Sequence, residues 1–417
     1  MQSPVVVGQT DITPQASVRL HYLDTLRVLA VFMVFLLHAA VPFTMMDWQV
    51  NNAETSMVAS VFFIAFLAPW GMPFFFLLAG ATAWFALRRR TARQFAGERV
   101  RRLLIPFLVG SVLITPLLAY IEWMSRTDIK ANYAGSYLQF LFVERFGGWN
   151  PLLFGWLGYH LWFLGFLFTF SLIALPFFTW LKGEAGRRLV SWLARLCEHR
   201  GGVLVFILPL VLIQLSLRPF FPEEHNWGDF FHHLVFFPAG YLFYADERFL
   251  RAVRRDRWLV LGVAVASFLG LTVTVGLGED SWLSDPSVPW FYVLWALMPI
   301  DAWCWSLTML FVGMRFLDFS NKWTRYGQEA VLSFYVLHYP VVLTIAFYVV
   351  QWQAGVTVKM LTVTLGSCVV TLGIYELLVR RVAPLRALFG MKAAFTPPAS
   401  QPQETAPASQ PGSLRSP

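Results

Sequence analysis

A chain of 417 residues that is 57% hydrophobic and only 13% charged does not match an ordinary soluble enzyme, because soluble domains carry about 25% charge. The mean hydropathy of +0.57 excludes the same class. A net charge of +8 would suit a nucleic-acid binder, but the basic residues lie in short blocks between apolar runs, which is the pattern that orients a membrane protein.

Residues 1–20 form a polar N-terminal segment whose first eighteen positions lack Lys and Arg. A signal peptide needs a basic start and a small-residue cleavage site, so the first apolar run is expected to be retained as a span. From there a single membrane domain over 21–392 is expected, all-α, with about ten transmembrane helices at 24–46, 58–87, 103–124, 158–181, 203–217, 229–245, 258–277, 290–316, 330–352 and 357–379. The run at 203–217 is short and holds Pro209, and the run at 58–87 holds Pro69, Gly71 and Pro73. Such breaks are tolerated where neighbouring helices satisfy the freed backbone groups. Lys and Arg crowd the connections after the even-numbered spans, from Arg88 to Arg102, Lys182 to Arg200, Arg248 to Arg257, Arg315 to Arg325 and Arg380 to Lys392. The other connections hold only Arg126, Lys130, Arg145, Arg218 and Lys359. This alternation requires an even number of spans and puts both termini in the cytoplasm. An eight-span layout has the same parity.

The aromatic, Gly-rich stretch at 125–157 is long enough to be functional, and a cover lying on the membrane surface explains it equally well. Residues 393–417, rich in Pro, Ser and Gln with PASQP at 398–402 and 407–411, are expected to be disordered. Cys197 lies in a basic loop, and Cys304 and Cys368 in apolar runs, so neither a disulfide nor a metal site is expected.

Ionisable groups inside a bilayer are expensive, so each is a candidate for function. Arg27 and His38 lie in the first span, eleven residues apart, which is about three turns and about 16 Å along one helix face. His160 lies at the outer end of the fourth span. Asp229, His232 and His233 open the sixth; the adjacent histidines face different ways and read as interfacial. Asp301, His338 and Glu376 lie in the last three spans, His338 about 12 Å from the cytoplasmic end of a span starting at 330. Histidine is the side chain suited to moving protons near neutral pH, yet His38 in MVFLLHAAV could equally be a histidine that only hydrogen-bonds a neighbouring helix. Neither HExxH nor GxSxG occurs, so a metalloprotease or a serine elbow is not indicated.

Five segments in order resemble the acyltransferase family 3 membrane proteins. YLDTLRVLAVFMVFLLHAA (22–40) resembles their first span, with an Arg, ten residues and a His. PFFFLLAGATAWFALRRR (73–90) resembles the second, with Ala79 before Gly80 where Ser-Gly is commoner. ERVRRLLIPF (98–107) resembles the basic opening of the third, HLWFLGFLF (160–168) the WFL motif, and YGQEAVLSFYVLHYPVVL (326–343) the late His-x-Pro motif with His338 and Pro340. Within the family the chain looks most like the glucans biosynthesis protein C type, implicated in adding succinyl groups to periplasmic glucans.

The resemblance implies transfer of an acyl group, acetyl or succinyl, from acyl-CoA to a carbohydrate hydroxyl at the bacterial inner membrane, with membrane lipid as surroundings and no nucleic acid partner. His38 would be the general base, or would carry the acyl group covalently. Arg27 would hold the donor or balance charge, and His338 would stabilise the oxyanion or orient His38. Arg99, Arg101 and Arg102 would hold the CoA phosphates by charge-assisted hydrogen bonds, although topology alone also accounts for basic residues there. Asp24 is expected to cap the first helix rather than pair with Arg27, and Trp162 to pack. Arg27, His38 and His338 should share one interior cavity opening toward Arg101 and Arg102. The rival reading is a proton-coupled transporter using the same intramembrane His, Asp and Arg. The chain shows no internal repeat of the helical units, which disfavours it.

Overall fold

A computed structural model describes residues 20–125, 159–222, 225–277 and 285–391. The expectations for residues 1–19, for most of the 125–157 stretch and for the 393–417 tail fall outside the described residues.

The described chain is helical. Eight helices are long and apolar enough to cross a membrane: α1 (His21–Phe43), α2 (Met57–Arg89), α3 (Ala92–Ser125), α4 (Tyr159–Leu181), α9 (Arg257–Leu277), α10 (Pro289–Phe316), α11 (Lys322–Val349) and α12 (Val356–Val379). Between them lie α5 (Glu184–Glu198), α6 (Gly202–Leu217), α7 (Trp227–Ala245) and α8 (Glu247–Arg255), and a short α13 (Ala383–Leu388) follows α12. The fifth and sixth expected spans correspond to α6 and α7. The first is shorter than the others, and the second carries Asp229, His232 and His233.

Helix starts are marked by local chemistry. Thr91 and Gln94 form a capping box at the head of α3, and Asn321 and Thr324 do the same for α11. Asp24 does not cap α1: Leu20 occupies that position, and Asp24 sits inside the first turn, paired with Arg27. Interior prolines at 73, 176, 238, 299 and 340 each remove one backbone donor. Wide turns interrupt α2 at Ser60–Leu67, α3 at Val100–Leu104 and α12 at Tyr375–Val379.

Helix α1 touches α2, α10, α11 and α12, and so sits near the middle of the bundle. The most intimate crossing joins α2 to α7. A Cβ on Gly80 would lie 1.8 Å from the Phe237 carbonyl oxygen, and one on Gly240 would lie 1.9 Å from that of Leu77. Small residues permit this backbone approach, the usual device of helix pairs in lipid. In α7, His232 and His233 are buried against neighbouring side chains, and His233 Nδ1 lies 2.6 Å from the Asp229 carbonyl. By contrast, α9 and α12 present Leu269, Val273, Leu361 and Leu365 to the exterior, as lipid-facing helices do.

One end of the bundle is rich in arginine. There α5 and α8 pack on each other, with Arg248 Nη2 donating to Ser191 Oγ at 2.9 Å and Arg255 Nη2 donating to the Cys197 carbonyl at 2.9 Å. Asp256, buried at the end of α8, binds Arg255 at 2.7 Å and accepts from the Gly201 amide at 3.0 Å. The Arg255 guanidinium thereby holds the Asp256 carboxyl below its usual range. The three cysteines are free thiols, and burial pushes that of Cys197 up to about 11.

Candidate active site

The site begins with a proline. Helix α11 carries His338 fully buried, and Pro340 follows two residues later. Pro340 has no amide hydrogen, so the helix ladder makes no demand on the carbonyl of Val336, four residues earlier. His160, at the head of α4, takes up that carbonyl with Nε2 at 3.2 Å. The hydroxyl of Tyr335 in turn donates to the His160 backbone carbonyl. Two segments 175 residues apart are therefore joined by reciprocal side-chain-to-backbone hydrogen bonds.

His38, near the far end of α1, completes the cluster. Its Nδ1 lies 2.9 Å from His338 Nε2, and His338 Nδ1 lies 2.7 Å from the Tyr335 carbonyl. A carbonyl only accepts, so His338 Nδ1 carries the hydrogen and its Nε2 carries a lone pair. His38 Nδ1 must then donate to that lone pair, which leaves His38 Nε2 as an unprotonated nitrogen. The direction of the relay follows from the single fixed acceptor at its end. Of the three histidines, His38 keeps the most exposure, while His338 and His160 are buried. The His160 ring lies 6.4 Å from that of His38 and 5.4 Å from that of His338.

Tyr339 closes the cluster, its ring 4.6 Å from His38 and 5.0 Å from His160. Its hydroxyl accepts from Trp48 Nε1 at 2.6 Å and donates to Gln49 Oε1. Trp48 and Gln49 belong to the segment linking α1 to α2, which is pinned further along by Lys359 Nζ donating to Asn52 Oδ1 at 2.9 Å.

Arg27 does not join the histidines. Eleven residues nearer the arginine-rich end, it lies about 16 Å down the helix and pairs with Asp24 at 2.8 Å. Its Nε is buried without a hydrogen-bond partner. Near it is Arg99, whose Nε is likewise buried and unpartnered and whose guanidinium lies over the Phe95 ring at 4.5 Å. Arg101 is exposed, its Nε 3.4 Å from the Gly97 carbonyl, and Arg102 reaches Glu98 at 3.5 Å. The three arginines therefore differ: Arg99 turns inward with unmet donor capacity, and the other two face out. Arg27 thus stands at a different level of α1 from His38, which contacts His338 of α11.

His338 lies farther from the start of its helix than from the start of the apolar run. α11 begins at Lys322, eight residues before the apolar run, which puts His338 about 24 Å from that end. Asp301 is buried in α10 with Ser267 Oγ donating to Oδ1 at 3.1 Å, and Glu376 pairs with Arg380 at 3.0 Å; neither belongs to the cluster. Trp162 packs against His225, Phe166 and Phe76. Among the described residues no group of His, Cys, Asp or Glu is arranged to hold a metal.

Comparison with known proteins identifies the family. The model of a family described as an acyltransferase domain matches residues 20–377. The chain is 23% identical over 404 residues to glucans biosynthesis protein C of Salmonella paratyphi A and to that of Salmonella agona (strain SL483), alignments spanning 93% of this chain and 98% of each relative. The protein of the same name from Salmonella paratyphi B is 22% identical over 400 residues. No solved structure matches. The family match covers most of the described bundle and both ends of the histidine cluster: the chain belongs to the acyltransferase 3 family of multi-pass membrane proteins, and it is an acyl-transferring enzyme.

Proposed function

We propose that this enzyme moves an acetyl or succinyl group from acyl-CoA to a carbohydrate hydroxyl, with His38 as general base. The observation that carries the reading is the one-way relay from His38 through His338 to the Tyr335 carbonyl, which leaves His38 Nε2 free to take a proton.

The acceptor hydroxyl gives its proton to His38 Nε2 as its oxygen attacks the thioester carbonyl. The C–S bond then breaks, and the CoA thiolate leaves and recovers the proton from the imidazolium. His338 holds His38 in the required tautomer and shares the transient charge through the Nδ1–H bond. A base positioned in this way contributes about 10²–10⁴-fold in rate. The donor's phosphates bind at the arginine-rich end through Arg99 and Arg27, with Arg101 and Arg102 adding to the positive field. The acyl arm then runs along α1 toward His38.

The basic connections make that end cytoplasmic. This orientation puts both termini inside, counts α6 and α7 among ten crossings, and sets the histidines toward the periplasm of a bacterial inner membrane. The relatives' printed name points to a glucan as the acceptor. The test is mass spectrometry of envelope glycans from cells carrying wild type or His38→Ala at matched membrane levels. Loss of one acyl mass with the variant supports the reading. An unchanged acylation pattern removes His38 as the base, and uptake of a solute into vesicles without acyl transfer would favour the transporter.

A further inference from the structure

Tyr339 follows His338 on α11 and takes no part in the proton transfer itself. The bond from His38 Nδ1 to His338 Nε2, at 2.9 Å, holds one edge of the His38 ring. Two torsions must be set before His38 Nε2 points in one direction, and the outer torsion of a histidine is broad. One hydrogen bond does not set both. The Tyr339 ring supplies a second constraint, 4.6 Å from the His38 ring and tilted by 52°.

Tyr339 is buried, and its hydroxyl is committed on both sides: Trp48 Nε1 donates to it at 2.6 Å, and it donates to Gln49 Oε1. Trp48 and Gln49 lie on residues 44–56, a strap between α1 and α2. The strap is tied to its surroundings. Ser125 Oγ of α3 donates to the Gln49 carbonyl, the Asn52 amide donates to the Pro42 carbonyl at 2.8 Å, and Lys359 Nζ of α12 donates to Asn52 Oδ1 at 2.9 Å. A ring that only filled space beside His38 would need no hydroxyl. This one is moored to a strap braced on three helices.

We infer that Tyr339 is a positioning residue: anchored by its hydroxyl to Trp48 and Gln49, it sets the plane of the His38 ring and so the direction of the Nε2 lone pair. This inference rests on the proposed reading of His38 as the base. It makes the α1–α2 strap part of the machinery of turnover.

Two substitutions reach the same bond from opposite sides. Tyr339→Phe keeps the ring and removes the mooring. Trp48→Phe loosens the mooring from the strap and leaves α11 untouched. The full-length protein in membrane vesicles is given radiolabelled acetyl-CoA or succinyl-CoA and glycans extracted from the envelopes of cells lacking it, and kcat is taken per folded molecule. Tyr339→Phe should lower kcat about tenfold, within the loss that a misplaced catalytic group causes, and leave the KM for acyl-CoA within about twofold. Trp48→Phe should lower kcat by a smaller factor, since the Gln49 bond remains. The double variant should be no slower than Tyr339→Phe, because both changes act through one hydroxyl. Losses that multiply in the double variant overturn the inference. So does a lowered melting temperature with wild-type kcat, which makes Tyr339 a structural brace, or a Tyr339→Phe loss with Trp48→Phe at the wild-type rate, which separates the hydroxyl from the strap. Wild-type transfer rates from His38→Ala would instead remove the reading on which the inference rests.

Discussion

Val336 offers its carbonyl to His160 because Pro340, one turn further along α11, has no amide hydrogen with which to claim it. The late His-x-Pro motif and the HLWFL motif are thus two halves of one contact. Pro340→Ala supplies the missing amide and lets the helix compete for that carbonyl. The expected outcome is a melting temperature equal to or above wild type, with transfer activity reduced about tenfold. Activity at the wild-type level would mean that the contact has no bearing on the reaction.

Removing the middle of the relay should affect turnover and not donor capture. His338→Phe is expected to lower kcat by about 10- to 100-fold, part of what a well-placed base contributes. The KM for acyl-CoA should stay within about twofold, because the arginine-rich end is untouched. Steady-state rates across acyl-CoA concentrations distinguish this from a general loss of fold, which would lower the amount of active enzyme without a kcat-specific signature at matched active-site titre.

Arg99 and Arg101 should behave differently despite their proximity in sequence. Arg99→Gln removes an inward guanidinium with an unpartnered Nε, and the KM for acyl-CoA should rise about 10- to 100-fold, the worth of a hydrogen bond to a charged group. Arg101→Gln, at an exposed position, should shift it less than threefold, and that shift should vanish at high salt. Equal effects would mean that the arginines act only through their summed field.

The α2–α7 crossing admits no side chain. Gly80→Ala places a methyl group 1.8 Å from the Phe237 carbonyl oxygen, and both partners are helical backbone that cannot step aside cheaply. Overpacking of this kind costs roughly 1–3 kcal/mol or more. A large fall in the detergent melting temperature is expected. Gly97→Ala, where no atom lies within 4 Å of the added carbon, should leave it unchanged, and equal melting of the two variants would contradict the packing.

At the arginine-rich end, docking of α5 on α8 should depend on acid. The Asp256 carboxyl lies below its usual pKa because of Arg255. Its stabilising contribution is therefore complete above the unfolded value of about 3.9 and is lost as pH falls through the lower folded value. Hydrogen exchange at the Gly201 amide, which donates to Asp256, should be slow and steady from neutral pH down to about 4, after correction for intrinsic rates, and lose its protection below that. Asp256→Asn should abolish the transition.

Helical periodicity and apolar run length made most of the bundle legible before any coordinates. They also singled out His38 and His338 as candidates, since an ionisable group in an apolar run is expensive. What periodicity cannot supply is depth. Arg27 and His38 do share a helical phase, but they stand about 16 Å apart and serve different ends of α1. The apolar run also understated the length of α11, which starts at Lys322, about two helical turns ahead of that run. His160 read as lying at the outer end of a span, and its contact with Val336 needed Pro340, a residue notable for the hydrogen bond it fails to make. Asp24 read as a cap because an acid before an apolar run usually is one; the helix begins a turn earlier.

The relay ends on the carbonyl of Tyr335 and not on a carboxylate. At rest, the three histidines therefore hold no fixed ion between them. A permanent charge part-way through a bilayer would be a resting place for protons and small cations crossing the membrane. Under the proposed mechanism, polarity appears only during a turnover and vanishes with the departing thiol, so the site offers no standing path for ions.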